Sequence, residues 1–330
     1  MKNYINIISV IFLFCVSQLY SQRDIIEIDY KTNQDNSVNF NYKKKSPGNY
    51  FVMLKFSNLS NTRTRYFNKV VKSNLGSLLK LKPINPDESI GFQYSYTYFK
   101  GDLNSKIEYD FPYILPFDRG SELSVQELFS IENVYLKREL PEDWKAYGFN
   151  FEKTKIVRAI RKGVVIEVVN KYSPDLENIY SYYSEQNQIS IEHNDGSIAV
   201  YEGFDNNINV RLGELVYPQS KLGKLAQYDK RGLYRLYLSL YSYKTKKGKT
   251  QFNIKSSDIE IVYITPKFFI NENIEVLKNM ESYIVNFTDK VLFKEMRKRE
   301  IKKYKAKLWV WISLFSNHNY WQFKSLQKTI

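Results

Sequence analysis

The chain has 330 residues, of which 43% are hydrophobic and 25% charged, enough for about two folded domains with their own cores. It contains 28 tyrosines but only two histidines and one cysteine. That scarcity excludes cysteine-rich zinc modules, disulfide scaffolds, haem attachment and any site that needs three imidazoles. The formal charge of +14 makes an anionic partner attractive.

Residues 1–21 have the pattern of a secretory signal peptide. Lys2 gives the positive start, Ile5–Val16 form the apolar run, and cleavage after Ser21 leaves Gln22 as the mature N-terminus. The alternative is an uncleaved anchor, but the run is shorter than the roughly 18 to 20 apolar residues that a membrane span needs. We therefore expect an exported protein that is periplasmic, envelope-associated or extracellular.

Cleavage would also remove Cys15, so that the mature chain has no thiol and cannot form a disulfide. It keeps 48 basic and 35 acidic residues, a formal charge of +13. For an exported protein, this charge favours an anionic cell-wall polymer, lipid headgroups or an acidic protein as partner, and not nucleic acid.

Residues 22–110 alternate apolar and polar side chains in short runs separated by turn residues. Tyr50–Phe56 and Ile90–Phe99 are the clearest runs, and Ser46–Asn49 and Asn85–Asp87 are typical turns. Short strands at this spacing, without a helical pattern, predict a small β-sandwich.

Residues 111–270 are again rich in strand-forming residues. Gly163–Val169 reads as a buried strand, and the turn Asn194–Gly196 between two apolar-polar runs predicts a β-hairpin. Beyond residue 270 the pattern changes, because apolar residues such as Phe293, Met296 and Tyr304 fall at helical spacing among many lysines and arginines. Residues 271–330 are therefore predicted to be a basic amphipathic helical tail.

Four segments in the middle of the chain form one pattern: 113–126, 147–165, 187–201 and 212–223. In residues and in order they resemble the lysostaphin-type (LytM-like) zinc endopeptidases of peptidoglycan. The clearest are "NQISIEHNDG", similar to the family's Asn-x-x-x-Ile-x-His-x-Asp-Gly hairpin, and "LGELVYPQSKLG", similar to its Gly-Asp-x-Val-x-x-Gly-Gln-x-x-Gly turn. The resemblance implies a duplicated-hybrid-motif β-sheet fold for residues 111–270, following the N-terminal sandwich.

The resemblance also implies a chemistry. In that family one zinc is held by a histidine, an aspartate and a second histidine from a His-x-His pair, and a further histidine assists the metal-bound water. Three protein ligands leave a fourth position open, where the metal lowers the pKa of water and a neighbouring imidazole takes up its proton.

Each of these positions is changed in this chain. The aspartate aligns with Asn150, the His-x-His pair with Tyr234 and Leu236, and the catalytic histidine with Gly203; residues 131–149 offer no first histidine. A count that ignores alignment agrees, because the chain has only His193, at a hairpin position, and His318, in the tail. We expect no bound zinc, no other cofactor and no peptidase activity by this mechanism.

Two surfaces remain as binding candidates. The first is the former substrate groove, which four tyrosines are predicted to line: Tyr182, Tyr183, Tyr234 and Tyr237. Aromatic rings stack on sugars, and tyrosine hydroxyls form hydrogen bonds with peptides. The alternative is that these are ordinary surface tyrosines of strands and loops. Five cations of the predicted tail are candidates for contact with an anionic surface, or simply form a solvated face: Arg297, Lys298, Arg299, Lys302 and Lys303.

The sequence thus favours an exported pseudo-peptidase that binds peptidoglycan or regulates a cell-wall hydrolase through its groove. One alternative is a structural or interaction protein that acts through its basic helix, with the groove filled by its own side chains; Leu236 favours a filled groove. A second alternative is an active peptidoglycan hydrolase with a different mechanism.

Overall fold

The computed structural model describes residues 25–128, 144–172, 186–227, 232–249 and 254–306. The predicted signal peptide, Tyr182, Tyr183 and the tail beyond residue 306 lie outside these ranges. As predicted, the fold is mostly β. Among the described residues, no helix is long and apolar enough to span a membrane.

The first unit contains two three-stranded antiparallel sheets. One has the order β1-β2-β5 and the other β4-β3-β6. The strands are β1 Ile26–Thr32, β2 Val38–Lys44, β3 Tyr50–Ser60, β4 Tyr66–Val71, β5 Leu75–Leu81 and β6 Gly91–Lys100. Both sheets contribute to one buried core, to which β2 gives Phe40 and β3 gives Val52 and Leu54. This arrangement is a small β-sandwich.

The second unit is built on a nine-stranded sheet with the order β14-β11-β12-β13-β16-β9-β8-β20, and β17 also pairs with β16. Two small sheets, β10-β15 and β19-β18-β7, accompany it. The strands up to β13 are β7 Pro112–Tyr113, β8 Glu122–Leu128, β9 Ala146–Phe151, β10 Ile156–Arg158, β11 Gly163–Val169, β12 Asn187–His193 and β13 Ile198–Phe204. The later strands are β14 Leu215–Val216, β15 Lys221–Lys224, β16 Tyr234–Thr245, β17 Ile259–Tyr263, β18 Lys267–Ile270, β19 Asn273–Glu275 and β20 Ser282–Ile284, with a 3-10 turn at Ser256–Asp258.

The predicted hairpin is confirmed as β12 and β13, and the predicted strand Gly163–Val169 is β11. Gly196 adopts φ +88°, which a glycine takes without strain, and Asp195 accepts the backbone N–H of Ser197 at 3.0 Å. The turn residues therefore determine where the two strands meet.

The large sheet has one apolar and one mixed face, because successive side chains of a strand point to opposite sides. The core face carries Phe149, Ile191, Tyr201, Leu236 and Leu238, each with no exposed surface. The opposite side of the sheet, here called the outer face, carries the residues that alternate with them. The outer face is where a binding site can reach solvent.

The sandwich docks on one end of the outer face. The backbone N–H of Asn49 donates to Glu192 Oε2 at 2.7 Å, and Gly48 packs against Ile166 so closely that an added Cβ would lie 2.8 Å from its Cγ2. Register shows that Glu192 is on the outer face, since it pairs with Ile198, which in turn pairs with Tyr241. The sandwich thus covers one part of the outer face and leaves the other part for a site.

The start of the predicted helical tail is not helical. Residues 273–275 and 282–284 form β19 and β20, and β20 extends the large sheet by pairing with β8. Helix is limited to α1, Asp289–Leu292, and to α2 at residues 298–306, where the described chain ends. The domain boundary predicted at residue 270 therefore needs correction, because residues 271–284 complete sheets of the second unit.

A buried arginine connects the C-terminal segment to the second unit. The Arg161 side chain is 1% exposed and makes two bonds to Glu295, Nε to Oε2 at 3.0 Å and Nη2 to Oε1 at 2.7 Å. Its Nη1 also donates to Asp195 Oδ2 at 2.8 Å, and its guanidinium lies 3.7 Å from the centre of the Phe111 ring. One side chain therefore joins the β12–β13 turn, the start of the second unit and the C-terminal segment.

Replacing Arg161 with methionine would leave the carboxylates of Asp195 and Glu295 without their shared cation in a buried place. We expect the free energy of unfolding to fall by about 3–5 kcal/mol. The matched control is Arg158→Met, because Arg158 is partly exposed and pairs with the half-exposed Asp118, so its loss should cost at most about 1 kcal/mol. Urea unfolding of the two variants tests this, and equal costs would contradict the connecting role of Arg161.

Candidate functional site

A polar cluster occupies the uncovered part of the outer face. On adjacent strands, Asn150 of β9 pairs directly with Arg235 of β16, so their side chains share a face. Tyr237 lies two residues along β16, and Gln126 and Glu202 reach the same face from β8 and β13 by their pairing with Gly148 and Tyr237. We call these five residues the outer cluster.

Arg235 is at the centre of the outer cluster. Its Nε donates to Asn150 Oδ1, and its Nη1 donates to the Tyr237 hydroxyl at 3.0 Å. Its guanidinium carbon is 5.6 Å from the centre of the Tyr237 ring, within range of a cation–π contact. The Tyr237 ring is largely buried against Leu128 and Ala146, which fixes its position. The cluster is therefore a polar site that places one guanidinium and one carboxylate beside a largely buried aromatic ring.

The structure divides the predicted vestigial positions between the two faces of the large sheet. Asn150 lies on the outer face, whereas Tyr234 pairs with Phe151 and Leu236 with Phe149 on the core face. Leu236 is fully buried there, so it contributes to packing and does not plug a groove. The residues two apart that share a face with Asn150 are Arg235 and Tyr237. Of the predicted groove tyrosines, Tyr237 belongs to the outer cluster and Tyr234 packs against the core.

Gly203 lies beside the outer cluster for a backbone reason. It has φ +107°, and an added Cβ would be 2.3 Å from the carbonyl oxygen of Arg235. No side chain, an imidazole included, fits at this position while β13 and β16 stay this close. Its carbonyl accepts the N–H of Ala226 at 2.9 Å, which fixes it further. Gly203 thus holds the backbone next to Arg235 and supplies no side chain.

The outer cluster does not fit a zinc ion. Its side chains supply amide oxygens, a phenol, one carboxylate and a guanidinium, whereas zinc prefers thiolate, imidazole and carboxylate. The Arg235 cation would also repel a metal ion at this place. Within the described ranges, no three His, Cys, Asp or Glu side chains come together as a metal site requires.

His193 is on the other side of the sheet. Its ring is buried, its Nδ1 lies 2.9 Å from the carbonyl oxygen of Lys162, and burial together with the nearby Arg161 cation lowers its pKa to about 3. The histidine is therefore neutral at physiological pH, and the carbonyl contact places its proton on Nδ1. It supports the strand β12 and takes no part in the outer cluster.

The predicted basic surface is divided by the docking of α2. Lys298, Arg299, Lys302 and Lys303 are exposed, whereas Glu300 is buried and bonds to Lys162 at 3.0 Å. Arg297 is exposed but is paired with Glu300 at 3.3 Å, an interaction that raises the pKa of Arg297. The helix therefore places its acidic residue inward and four of the predicted cations outward.

Comparison with known proteins finds weak similarity to solved structures. Pseudoalterin, described as an M23 metalloprotease from the deep sea, shares 15% identity over 52% of this chain and 98% of its own, with a TM-score of 0.31. A protein described as the glycyl-glycine endopeptidase LytM, from Ruminococcus gnavus, shares 17% identity over 47% of this chain and 56% of its own, with a TM-score of 0.28. With TM-scores this low, neither similarity bears on function. No protein-family model and no curated protein matches the chain.

The register of β9 and β16 can be tested by building a metal site. We expect the triple variant Asn150→Asp, Arg235→His, Tyr237→His to bind zinc at least tenfold more tightly than the parent chain, because its three new ligands share the outer face. The matched control, Asn150→Asp with Tyr234→His and Leu236→His, divides the ligands between two faces and should bind no more zinc than the parent. Calorimetric titration with zinc measures both, and tighter binding by the control would refute this register.

Proposed function

We propose that the protein is an exported, non-catalytic member of the lysostaphin-type endopeptidase family that binds peptidoglycan or regulates a cell-wall hydrolase. The observation that carries the proposal is the Arg235 guanidinium, held by Asn150 and Tyr237 beside the segment 147–151, which resembles the family's metal-ligand strand. The order of the resembling segments along a β-rich second unit also supports family membership.

Loss of catalysis follows from the chemistry of this side chain. An arginine stays protonated in proteins, so it neither accepts a proton from water nor binds a metal. The fixed positive charge replaces the electrostatic part of a zinc site without its ability to generate hydroxide. In this proposal the protein uses no zinc and no other cofactor.

Binding remains chemically reasonable at the outer cluster. Arg235 and the amides of Asn150 and Gln126 donate hydrogen bonds, Glu202 accepts them, and the buried Tyr237 ring holds the Arg235 guanidinium in place. Peptide stems carry carbonyls and carboxylates, and glycans carry hydroxyls, so wall fragments offer partners to each of these groups. The predicted signal peptide would deliver such a protein to the periplasm, the envelope or the outside of the cell.

The test is co-sedimentation of the mature chain with purified peptidoglycan at low and high salt, with the supernatant examined for released fragments. We expect pelleting that persists at high salt and no release. Arg235→Ala and Tyr237→Phe should weaken binding severalfold because each removes a bond of the outer cluster. Arg211→Ala is the matched control for charge, since Arg211 is exposed on a loop of the same unit. Release of fragments, or equal loss with the control, would contradict the proposal.

A second candidate function is attachment through the basic helix, favoured by the outward position of four cations on α2. Deleting residues 285–330 would not isolate this surface, because Val285, Phe287 and Leu292 belong to the core and Glu295 and Glu300 hold Arg161 and Lys162. Substitution of the exposed cations is the cleaner experiment.

For this second function, we expect the variant with Lys298, Arg299, Lys302 and Lys303 all changed to glutamate to lose binding to vesicles containing anionic lipid at low salt, by at least tenfold. Changing Lys31, Lys55, Lys69 and Lys82 of the sandwich to glutamate alters the net charge equally and is the control. Vesicle flotation measures both variants. A similar loss in both would mean that total charge, and not the α2 surface, determines attachment.

A further inference from the structure

A cavity of about 680 Å³ lies where the sandwich meets the second unit, apart from the outer cluster. Its sandwich side includes Asn49, Lys72 and Ser73, and its other side includes Glu192, Asn194 and Glu295. Cavities of this size between domains are typical places for small ligands. The Glu192 carboxylate of the second unit and the Lys72 ammonium group of the sandwich both line this cavity.

Only one of the two Glu192 carboxylate oxygens accepts a hydrogen bond from the described residues. The side chain is 5% exposed, and Oε2 accepts the Asn49 N–H at 2.7 Å, but Oε1 is buried with no hydrogen-bond partner among the described residues. Leaving a buried carboxylate oxygen without a hydrogen bond costs free energy, so a hydrogen-bond donor that reaches Oε1 would be bound favourably.

The lysines near Glu192 form hydrogen bonds or ion pairs elsewhere and do not donate to Oε1. On the sandwich side, Lys44 donates to the carbonyl oxygens of Gly48 and Lys72, and Lys72 pairs with Asp102 at 3.8 Å. Burial raises the pKa of Glu192 to about 7, and Asp102 adds to this, while the Asn49 bond and the two lysines oppose it. The site therefore favours a donor that brings positive charge to Oε1.

Lys72, which also lines the cavity, can bind an anionic group there. Its side chain is 55% exposed and its ion pair with Asp102 is long at 3.8 Å, so it can turn toward a second carboxylate at little cost. Asn49 and Ser73 add polar groups beside it.

We propose that this cavity binds a small zwitterion, such as a free amino acid or a short peptide with free ends, with its ammonium group at Glu192 and its carboxylate at Lys72. The ammonium supplies the donor that Oε1 lacks when the Glu192 carboxylate turns toward the cavity, and the ligand contacts both domains. This site is independent of the outer cluster and does not rest on the function proposed for it.

Glycylglycine, titrated into the full mature chain by calorimetry, is the probe. We expect saturable binding near pH 7.5, loss of binding to N-acetylglycylglycine, and severalfold weaker binding of glycylglycine amide. Binding should be roughly 25-fold weaker at pH 5.5 than at pH 7.5, because the ligand ammonium requires ionised Glu192 and protons compete for it below a pKa of about 7. Absence of binding by all three probes would mean that the cavity holds water only and would overturn the proposal.

Two variants locate the binding. Glu192→Gln should abolish it, and Lys72→Gln, at an exposed side chain that leaves the fold intact, should weaken it severalfold. Glu167→Gln is the matched control, since Glu167 accepts a bond from Ser190 at 3.2 Å within the second unit, and it should bind as the parent does. Unchanged affinity in Lys72→Gln together with equal binding of N-acetylglycylglycine would also overturn the assignment.

Discussion

The buried guanidinium of Arg161 is the interaction on which the arrangement of the second unit depends. An arginine removed from water must have all of its charge and most of its donors met by the protein. Here the partners come from three separate parts of the chain, Asp195 at a hairpin turn, Tyr113 in β7 and Glu295 near the C-terminus. Burial alone would raise the pKa of Asp195, but the Arg161 cation and the bonds from Ser197 lower it to about 2, so the pair stays ionised.

The sequence predicted those features of the fold that depend on neighbours along the chain. The alternation of β11, the Asn194–Gly196 turn and the strands of the sandwich are local patterns, and the structure contains them. The strand β20 was missed because its residues become a strand only by pairing with β8, far away in sequence. The helical tail was predicted to begin at residue 271, but residues 271–284 contain β19 and β20, which form by pairing with strands of the second unit.

The composition of the outer cluster was predictable only in part. Asn150 and Tyr237 were singled out, but Tyr234 and Leu236 lie on the core face, because neighbouring residues of a strand point to opposite faces of the sheet. The sequence did hold a usable signal: Leu236, Leu238 and Leu240 alternate with polar residues, which places the leucines in the core and Arg235 and Tyr237 outside. The contributions of Gln126 and Glu202 depend on β8 and β13 pairing into the same sheet, which no short segment reveals.

The distribution of charge follows from the same docking contacts. Glu295 and Glu300 are used inward, on Arg161 and Lys162, so the cations of the C-terminal segment have few acidic neighbours left. Lys294 and Lys305 find Glu108 and Asp289, whereas Lys298, Arg299, Lys302 and Lys303 remain on the exposed side of α2. Because Glu295 and Glu300 form ion pairs inside the second unit, the positive charge of α2 is left largely unbalanced. The basic surface and the stability of the second unit are therefore two consequences of one set of ion pairs, and a change in either acidic residue would alter both.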